Sequence, residues 1–379
     1  MDAIDVVNYF TYILLAWAIV MSIGYMFKDK LLKYGIEIGL FTIMWKHKAT
    51  GESLKYLAKN KAIKIYGWIS IALTLAAMGA AYYFLSNIIL SRLMPTEVTT
   101  QARLIPLLPG LTVVGVHLLY SMIAISIAIV FHELSHAIMA LSEGIRLKSW
   151  GLALVFIIPA AFVEPVEEDY NNSRVLSKVK LLAAGSAANI IIALITIALL
   201  QVIATQHPLI IGVIPEINGK ITPAANTGLQ DYVPFAIISV NNTQINGLIP
   251  LTNKIKTYAN ETVIYNMTIY SYKYMKYISL LLVKPAGMSM IGVYINPFPA
   301  PNPSICMIGS ACIHIPGLLS WILWVNMGLA LINAAPLFIT DGGKIVSETL
   351  GRINKPISYA LQLGTVILFA ASIILSIIA

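Results

Sequence analysis

Six long apolar runs constrain the fold of this chain more than any other feature. Each is long enough for a helix to cross a bilayer, which takes about 20 residues. Composition agrees, because 58% of the 379 residues are hydrophobic and only 11% are charged, a balance typical of integral membrane proteins. We place the runs near residues 7–27, 66–90, 113–141, 180–204, 317–338 and 356–378. The sequence therefore predicts an α-helical membrane protein with about six transmembrane helices.

The start of the chain and its positive charges predict how it is threaded. The first run has no basic region before it and no small-residue cleavage site, so we interpret it as a retained helix rather than a signal peptide. By the positive-inside rule, the basic loop 28–65 is cytoplasmic and the N-terminus is outside. Alternate threading then puts 142–179 and 339–355 inside and 205–316 outside. The formal net charge of +8 thus indicates membrane orientation and no nucleic-acid partner. The basic loop contains Lys28, Lys30, Lys33, Lys46, Lys48, Lys55, Lys59, Lys61 and Lys64.

Two apolar segments between the runs are unsuited to spanning. The stretch "YGIEIGLFTIMWKHKA" in the basic loop either lies along the cytoplasmic membrane interface or is a simple connector. The stretch "GLALVFIIPAAFVEPVEED" is interrupted by Pro159 and Pro165. We expect it to form a re-entrant or strand-like element buried against protein, because bare backbone cannot face lipid.

One long polar insertion, residues 207–297, separates a first membrane part, 1–206, from a second, 298–379. β-Branched and aromatic residues alternate through "ETVIYNMTIYSYKYMKYISLLLVKP", which indicates strands. The preceding stretches, "ITPAANTGLQ" and "AIISVNNTQINGLIPLTNKIKTYAN", predict a loop, a short helix, a strand, an Asn-Asn turn, a second strand and a helix. The insertion is therefore predicted to be a small α+β domain of about 90 residues.

The order of these elements resembles a PDZ domain. The family's Pro-Ala-Ala-x-x-Gly-Leu signature corresponds to Pro223 through Leu229, followed by a strand and a turn at Asn241-Asn242. The usual Gly-Asp pair before the strand is replaced by "DYVPFA", and the loop that binds a peptide carboxylate is not recognisable. Either peptide binding or simple shielding of the membrane site is therefore open for this PDZ-like domain, which the threading places outside.

The two cysteines, Cys306 and Cys312, lie in the same outside segment, just before the fifth run. A disulfide is compatible with an oxidising compartment, and two free thiols are the equally weighted alternative. No nearby set of partners gives these cysteines the spacing of a metal site.

The third run contains the strongest chemical signal, "FHELSH". His132 and His136 are four residues apart, so both imidazoles lie on one face of a helix and can reach one zinc ion. In this H-E-x-x-H arrangement Glu133 is the base that takes a proton from the attacking water. Near the bilayer centre an ionisable side chain costs on the order of 2.5–3.5 kcal/mol. A histidine pair held only by hydrogen bonds is therefore the weaker interpretation.

A catalytic zinc site usually has three protein ligands, so a carboxylate or histidine is missing. His132 lies roughly 13 Å from the cytoplasmic end of its run by helix rise. Pro336 stops the fifth run, so that "LFITDGG" can fold back and bring Asp341 to the same depth. We expect Gly342 and Gly343 to permit the unusual backbone of that turn. The alternative for Asp341 is an ordinary Asp-Gly surface turn.

Together these residues resemble the site-2 proteases, which are intramembrane zinc metalloproteases. Their signatures are H-E-x-x-H and a later Asn-x-x-Pro-x-x-x-x-Asp-Gly, which here begins at Asn333 and continues through Pro336 to Asp341 and Gly342. Thr340 stands where leucine is more usual.

Further likeness lies between the two motifs. The stretch "LLAAGSAANIII" is similar to the family's Gly-x-x-x-Asn element, with Gly185 and Asn189. The stretch "PAAFVEP" is similar to its loop after the first motif, with Ala160 where glycine is frequent. The resemblance spans roughly residues 110–355.

The resemblance implies a multi-pass enzyme of the cell membrane that holds one Zn²⁺ per chain through His132, His136 and Asp341. It implies cleavage of membrane-anchored proteins within or next to their transmembrane segments, in regulated proteolysis or in clearance of signal-peptide remnants, near the cytoplasmic side. Glu133 is the expected catalytic base. The amide of Asn333 either stabilises the oxyanion, as the resemblance suggests, or makes a helix-end hydrogen bond.

Two other function classes remain as alternatives. A transporter or metal carrier should show more ionisable residues inside its spans. An inactive scaffold with a peptide-binding domain would not need the intact Glu133. The sequence does not indicate the oligomeric state.

Overall fold

The computed structural model describes residues 3–48, 56, 58–93, 107, 112–156, 158–256, 260–288, 290–306 and 309–378. Among these residues, five helices are long and apolar enough to cross a membrane. They are α3 (Lys61–Leu93), α4 (Val116–Ser142), α6 (Val175–Ile203), α9 (His314–Ala334) and α12 (Lys355–Ile378).

The first predicted span is not among those five. Helix α1 covers Ala3–Met26, and its apolar stretch, Thr11–Met26, is shorter than a full span. Five long apolar helices are therefore found where the sequence predicted about six spans.

The chain divides into two compact units, residues 1–194 together with 322–379, and residues 195–321. The first unit contains a four-stranded antiparallel sheet in the order β1-β2-β3-β4. Its strands are β1 (Ile36–Ile38), β2 (Thr42–Lys48), β3 (Leu147–Val155) and β4 (Ile158–Pro165). The segment predicted to be re-entrant or strand-like is thus the β3–β4 hairpin.

Strands β1 and β2 lie in the basic loop, where the sequence predicted either an interfacial segment or a simple connector. They form strands because β2 pairs along its whole length with β3, from Thr42 opposite Val155 to Lys48 opposite Ser149. Helix α2 (Lys28–Leu32) precedes them. Trp17 of α1 packs against this sheet, with its ring 5.4 Å from that of Phe156.

The end of α4 is fixed by its own sequence. Gly144 takes a φ of +82°, and the N–H of Ile145 donates to the carbonyl of Ala140 at 2.8 Å. This is the Schellman closure, in which glycine accepts the left-handed conformation without the strain of a Cβ. The C-cap, Glu143, accepts from Lys180 Nζ at 2.9 Å, which connects the C-terminal end of α4 to the N-terminal part of α6.

Short helices complete the first unit. Helix α5 (Glu167–Asn172) follows β4, and its three acidic residues in the first turn suit the positive end of the helix dipole. Helices α10 (Asp341–Glu348) and α11 (Leu350–Ile353) connect α9 to α12. Ala335 and Leu337, in the turn after α9, are buried against Ala81 of α3.

The second unit contains a sheet with the main order β11-β10-β8-β5-β12 and a short hairpin, β6–β7. Its elements follow the order that the sequence indicated, including a turn at Asn241 and Asn242, whose φ values are +50° and +61°. The elements are β5 (Leu209–Val213), β6 (Glu216–Ile217), β7 (Lys220–Ile221), α7 (Pro223–Asn226), β8 (Phe235–Val240), β9 (Thr243–Gln244), α8 (Leu248–Lys256), β10 (Val263–Ser271), β11 (Lys276–Lys284) and β12 (Val293–Ile295).

The core of this second unit lies on one face of its sheet. Phe235 and Ile237 of β8 and Tyr265 of β10 are buried there. Cys306 and Cys312 are joined by a disulfide, and both lie in a smaller buried cluster with Tyr272.

Candidate metal and catalytic site

Three donor atoms from two distant parts of the chain meet in the first unit. Nε2 of His132, Nε2 of His136 and Oδ2 of Asp341 are each 3.1 Å from the other two. The three residues are only 6%, 9% and 7% exposed. Zinc bonds to nitrogen and oxygen of about 2.0–2.1 Å in a tetrahedron require ligand atoms about 3.3 Å apart. The triangle is therefore the right size for three corners of a zinc site.

The second ring nitrogen of each histidine also has a partner. Nδ1 of His136 lies 2.7 Å from the carbonyl oxygen of Leu181, which can only accept, so this nitrogen carries a proton and Nε2 is the atom that a neutral imidazole would offer to a metal. Such an outer partner fixes the tautomer and orientation of a metal-binding histidine. Nothing in the residue type of Leu181 marks it for this role.

Asn189 is the corresponding partner of His132. Its carboxamide nitrogen lies 3.1 Å from Nδ1 of His132, while its buried Oδ1 has no hydrogen-bond partner among the described residues. If Nε2 of His132 binds a metal, Nδ1 carries a proton and needs an acceptor. A half-turn of the carboxamide, whose oxygen and nitrogen are nearly equal in shape, supplies that acceptor and pairs the orphaned oxygen. The hydrogen-bonding groups of His132 and Asn189 are thus fully paired when Nε2 of His132 binds a zinc ion, and Asn189 Oδ1 is left without a partner when it does not.

Asp341 reaches the histidines because the chain turns sharply after α9. The helix ends at Ala334, and Asp341 is the first residue of α10. Thr340 is the N-cap of α10, and its hydroxyl accepts from the N–H of Gly343 at 3.3 Å and donates to the carbonyl of Ala335 at 2.6 Å. This one side chain therefore connects the residue that follows α9 to the first turn of α10. The second oxygen of Asp341, Oδ1, faces Lys344 Nζ at 4.0 Å.

Gly342 and Gly343 serve a different purpose from the one expected. Neither has a positive φ among the described backbone angles, so the prediction of an unusual backbone there was wrong. A Cβ on Gly342 would strike the carbonyl oxygen of Ala334, and one on Gly343 would strike that of Leu337. Glycine is required because the first turn of α10 packs directly on backbone. Pro336, which is buried in this turn, marks the end of the helix as predicted.

Gly185 lies directly behind the two imidazoles. A Cβ built there would meet Nε2 of His136 and would lie 2.6 Å from Nε2 of His132. Hence the element containing Gly185 and Asn189 brings the backbone of α6 up to the histidines at one residue and binds one of them at the other.

Glu133 faces a cavity of about 740 Å³ that also exposes His132, His136, Asp341 and Asn333. Its Oε2 accepts a hydrogen bond of 3.1 Å from the backbone N–H of Val163 on β4. The side chain of Asn333 is half-buried and makes no hydrogen bond that the structure records among the described residues. The contact to Val163 was not predicted, because a backbone donor leaves no residue-type signature.

Tyr170 of α5 also lines the cavity, and nothing in the sequence had marked it for this place. Burial, with the carboxylates of Glu348 and Asp341 nearby, raises the pKa of Tyr170 to about 12. The phenol therefore stays protonated at neutral pH. Lys178 Nζ lies 4.8 Å from the centre of the Tyr170 ring, in reach of a cation–π contact.

Comparison with known proteins gives two matches. The sequence profile of Peptidase family M50 matches residues 120–375, which includes every residue of the candidate site. The chain is also 28% identical over 359 residues to "Uncharacterized protein MJ0971" of Methanocaldococcus jannaschii, across 87% of this chain and 83% of that protein.

Proposed function

Because the chain belongs to Peptidase family M50, whose members are zinc metalloproteases of the site-2 type, we propose that it is an intramembrane endopeptidase. It hydrolyses peptide bonds within or next to the transmembrane segments of membrane-anchored proteins. The observation that carries the proposal is the triangle of two imidazole nitrogens and one carboxylate oxygen, 3.1 Å on each side, next to the carboxylate of Glu133. Ionisable side chains inside a bilayer are energetically costly, so a group of three together with Glu133 indicates a functional site.

The residues of the site take distinct roles in this proposal. His132, His136 and Asp341 hold one zinc ion, which when bound acts as a Lewis acid and brings the pKa of water toward neutrality. Glu133 accepts the proton of the attacking water on its carboxylate and later delivers it to the leaving amine. Asn333, whose side chain lines the cavity, directs its amide N–H toward the developing oxyanion.

The substrate has to enter as an extended chain, because the carbonyls of a transmembrane helix are held in internal hydrogen bonds. Strand β4 is the last strand of its sheet, and Ala160, Ala161 and Val163 of this strand line the cavity. An unwound substrate segment can therefore add to this edge as a further strand. The lipid bilayer is the second partner, since it presents the substrate.

The proposed orientation follows the positive-inside rule, which places the site near the cytoplasmic side and water access on that side. Residues 207–297 are then the PDZ-like domain on the outer side. There this domain admits substrates that have already been shortened.

The test of the proposed function uses a single-span membrane protein as substrate, reconstituted in liposomes with the purified zinc-loaded enzyme. Glu133→Gln should retain zinc and lose cleavage by about 10²-fold or more, because the proton acceptor is gone. The matched control is Glu37→Gln on β1, an exposed glutamate remote from the donor triangle, which should cleave at the unaltered rate.

The ligand set is tested separately by metal content. His136→Ala and Asp341→Ala should each lose most of the zinc, because two protein donors rarely hold this ion tightly. Cleavage by zinc-loaded Glu133→Gln at the unaltered rate would show that the proteolytic mechanism is wrong. Full zinc retention by both alanine variants would show that the ligands are wrong.

A further inference from the structure

The outward edge of β4 is defined by the alternation of its backbone. In an antiparallel pair, alternate residues direct both their N–H and C=O groups toward the neighbouring strand. The N–H of Val166, just beyond β4, donates to Arg146 on the β3 side at 2.8 Å, whereas that of Val163 donates away from β3 to Glu133 at 3.1 Å. Val163 and the residues at two-residue intervals from it therefore direct their backbone groups toward the cavity side.

Prolines occupy both ends of this outward set. The set consists of Pro159, Ala161, Val163 and Pro165, and proline has no N–H to donate. Proline on an edge strand prevents further strands from pairing beyond it. The outward edge thus offers two donors, the N–H groups of Ala161 and Val163, and we call this pair the docking edge.

One of the two donors of the docking edge is already in use. The carboxylate that accepts from Val163 belongs to Glu133, the residue to which the proposed function assigns proton transfer. A substrate strand that added to the docking edge would need this same N–H for one of its carbonyl oxygens. Both acceptors cannot hold it with good geometry, because a single N–H directs one strong hydrogen bond.

We propose that the hydrogen bond from the N–H of Val163 to the carboxylate of Glu133 blocks the docking edge in the free enzyme, and we call this hydrogen bond the latch. An extended substrate breaks the latch when its own carbonyl oxygen accepts from the N–H of Val163. The inference rests on the proposed function, since it concerns the same site. The exchange joins two events: strand pairing along β4, and release of the carboxylate to face the attacking water. A peptide that reaches the cavity without pairing at Val163 leaves Glu133 held.

The docking edge also restricts which substrate segments can bind next to Glu133. With two donors between two prolines, β4 can hold at most two carbonyl oxygens of the substrate, those opposite Ala161 and Val163. Ala160 and Ala161 have small side chains at this edge and line the cavity, leaving space for larger substrate side chains. The substrate class is therefore a short unwound segment with bulky apolar residues, paired at one end next to Glu133.

The experiment is a double-mutant cycle on substrate binding, carried out on the zinc-loaded enzyme in liposomes. Glu133→Ala removes the latch, whereas Glu133→Gln keeps a carbonyl oxygen that accepts from Val163. Both variants are inactive, so the Kd of an uncut substrate can be measured by fluorescence transfer. We expect Glu133→Ala to bind roughly twofold to twelvefold more tightly than Glu133→Gln, the factor of one net hydrogen bond.

The second side of the cycle is Val163→Pro, which removes the contested N–H at an edge position where proline is tolerated. In this background the two Glu133 variants should bind equally. Ala161→Pro is the matched control: it weakens binding to both variants by the same factor and leaves the difference between them intact. Equal binding with Val163 present, or a difference that persists in Val163→Pro, overturns the latch.

Amide hydrogen exchange of the segment 158–166 gives a second readout that needs no substrate. The Val163 amide should exchange faster in Glu133→Ala than in Glu133→Gln, and equal rates overturn the proposal even if Val163→Pro fails to fold. Failure of the proposed function gives a different result: the unaltered zinc enzyme then leaves the substrate uncut, while the exchange rates still report the latch.

Discussion

The carboxamide of Asn189 lies 3.1 Å from Nδ1 of His132, on the side of the imidazole opposite the donor triangle. This contact orients the His132 ring through Nδ1, as the carbonyl oxygen of Leu181 orients the His136 ring through its own Nδ1. We expect Asn189→Ala to weaken zinc binding about 10- to 100-fold, the usual cost of losing an outer partner of a metal-binding histidine. Zinc affinity can be measured by competition with a coloured chelator.

The control for Asn189 is Ser186→Ala on the same helix. Ser186 is fully buried, and its hydroxyl has no hydrogen-bond partner among the described residues. It should therefore bind zinc as the unaltered chain does. Equal affinities for Asn189→Ala and Ser186→Ala would mean that Asn189 does not position His132.

Gly185 predicts a steric effect on the same metal. A methyl group there would press on Nε2 of both His132 and His136, and α6 cannot move away without losing the contacts of its buried face. Gly185→Ala should purify with little zinc and low activity. Gly79→Ala on α3, where a Cβ meets nothing within 4 Å, should retain the metal, and zinc content by atomic emission decides between them.

Thr340 predicts a stability effect in the turn that carries Asp341. Thr340→Val keeps the shape and removes the hydroxyl that caps α10 and bonds the carbonyl of Ala335. We expect the free energy of unfolding to fall by roughly 1–3 kcal/mol, because a cap and a buried carbonyl partner are both lost. Thr340→Ser retains the hydroxyl and should stay close to the unaltered protein. Equal melting temperatures for the Val and Ser variants would contradict this role.

The ion pair between Asp169 and Arg146 predicts a pH dependence. Arg146 donates through Nε at 2.7 Å, through Nη2 at 2.8 Å and through its backbone N–H at 3.0 Å. These bonds lower the pKa of Asp169 from 3.8 to about 2. The contribution of the pair to stability is therefore complete above 3.8 and is lost as the pH falls toward about 2.

Melting curves of Asp169→Asn and of the unaltered protein, recorded at several pH values, check that the stabilisation is lost as the pH falls. The variant should melt at a lower temperature at pH 7, and the gap should narrow below pH 3.8. Arg146→Lys, which keeps the charge but not the two-pronged geometry, should lie between the two. A gap that stays constant down to pH 2.5 would exclude the pair as its source.

The helices and the donor residues of the site could be anticipated from the sequence because each leaves a local trace. Apolar length marks the helices, and the spacing of His132 and His136 places both imidazoles on one helical face. Pro336 marks the end of α9, and from it the fold-back toward Asp341 could be inferred. The β3–β4 hairpin was foreseen in outline because two prolines interrupt an apolar stretch.

The remaining features depend on partners that are far away in the chain. The sequence of β2 mixes apolar and basic residues and does not indicate a strand by itself. It forms a strand because it pairs with β3. The contact between Glu133 and Val163 uses a backbone N–H, which any residue except proline has. Glycine is needed at position 342 because the carbonyl oxygen of Ala334 leaves no space for a Cβ, and this contact is visible only in the folded chain.

His132 and Asp341 are separated by 209 positions in the chain, and this distance has a consequence for biosynthesis. Chains are made from the N-terminus, and their earlier parts fold and insert first. Until Asp341 leaves the ribosome, the growing protein has two of three donors and cannot assemble the complete donor set. A nascent or prematurely terminated chain therefore lacks one of the three donors, and the candidate metal site is completed only when the last part of the chain has been made.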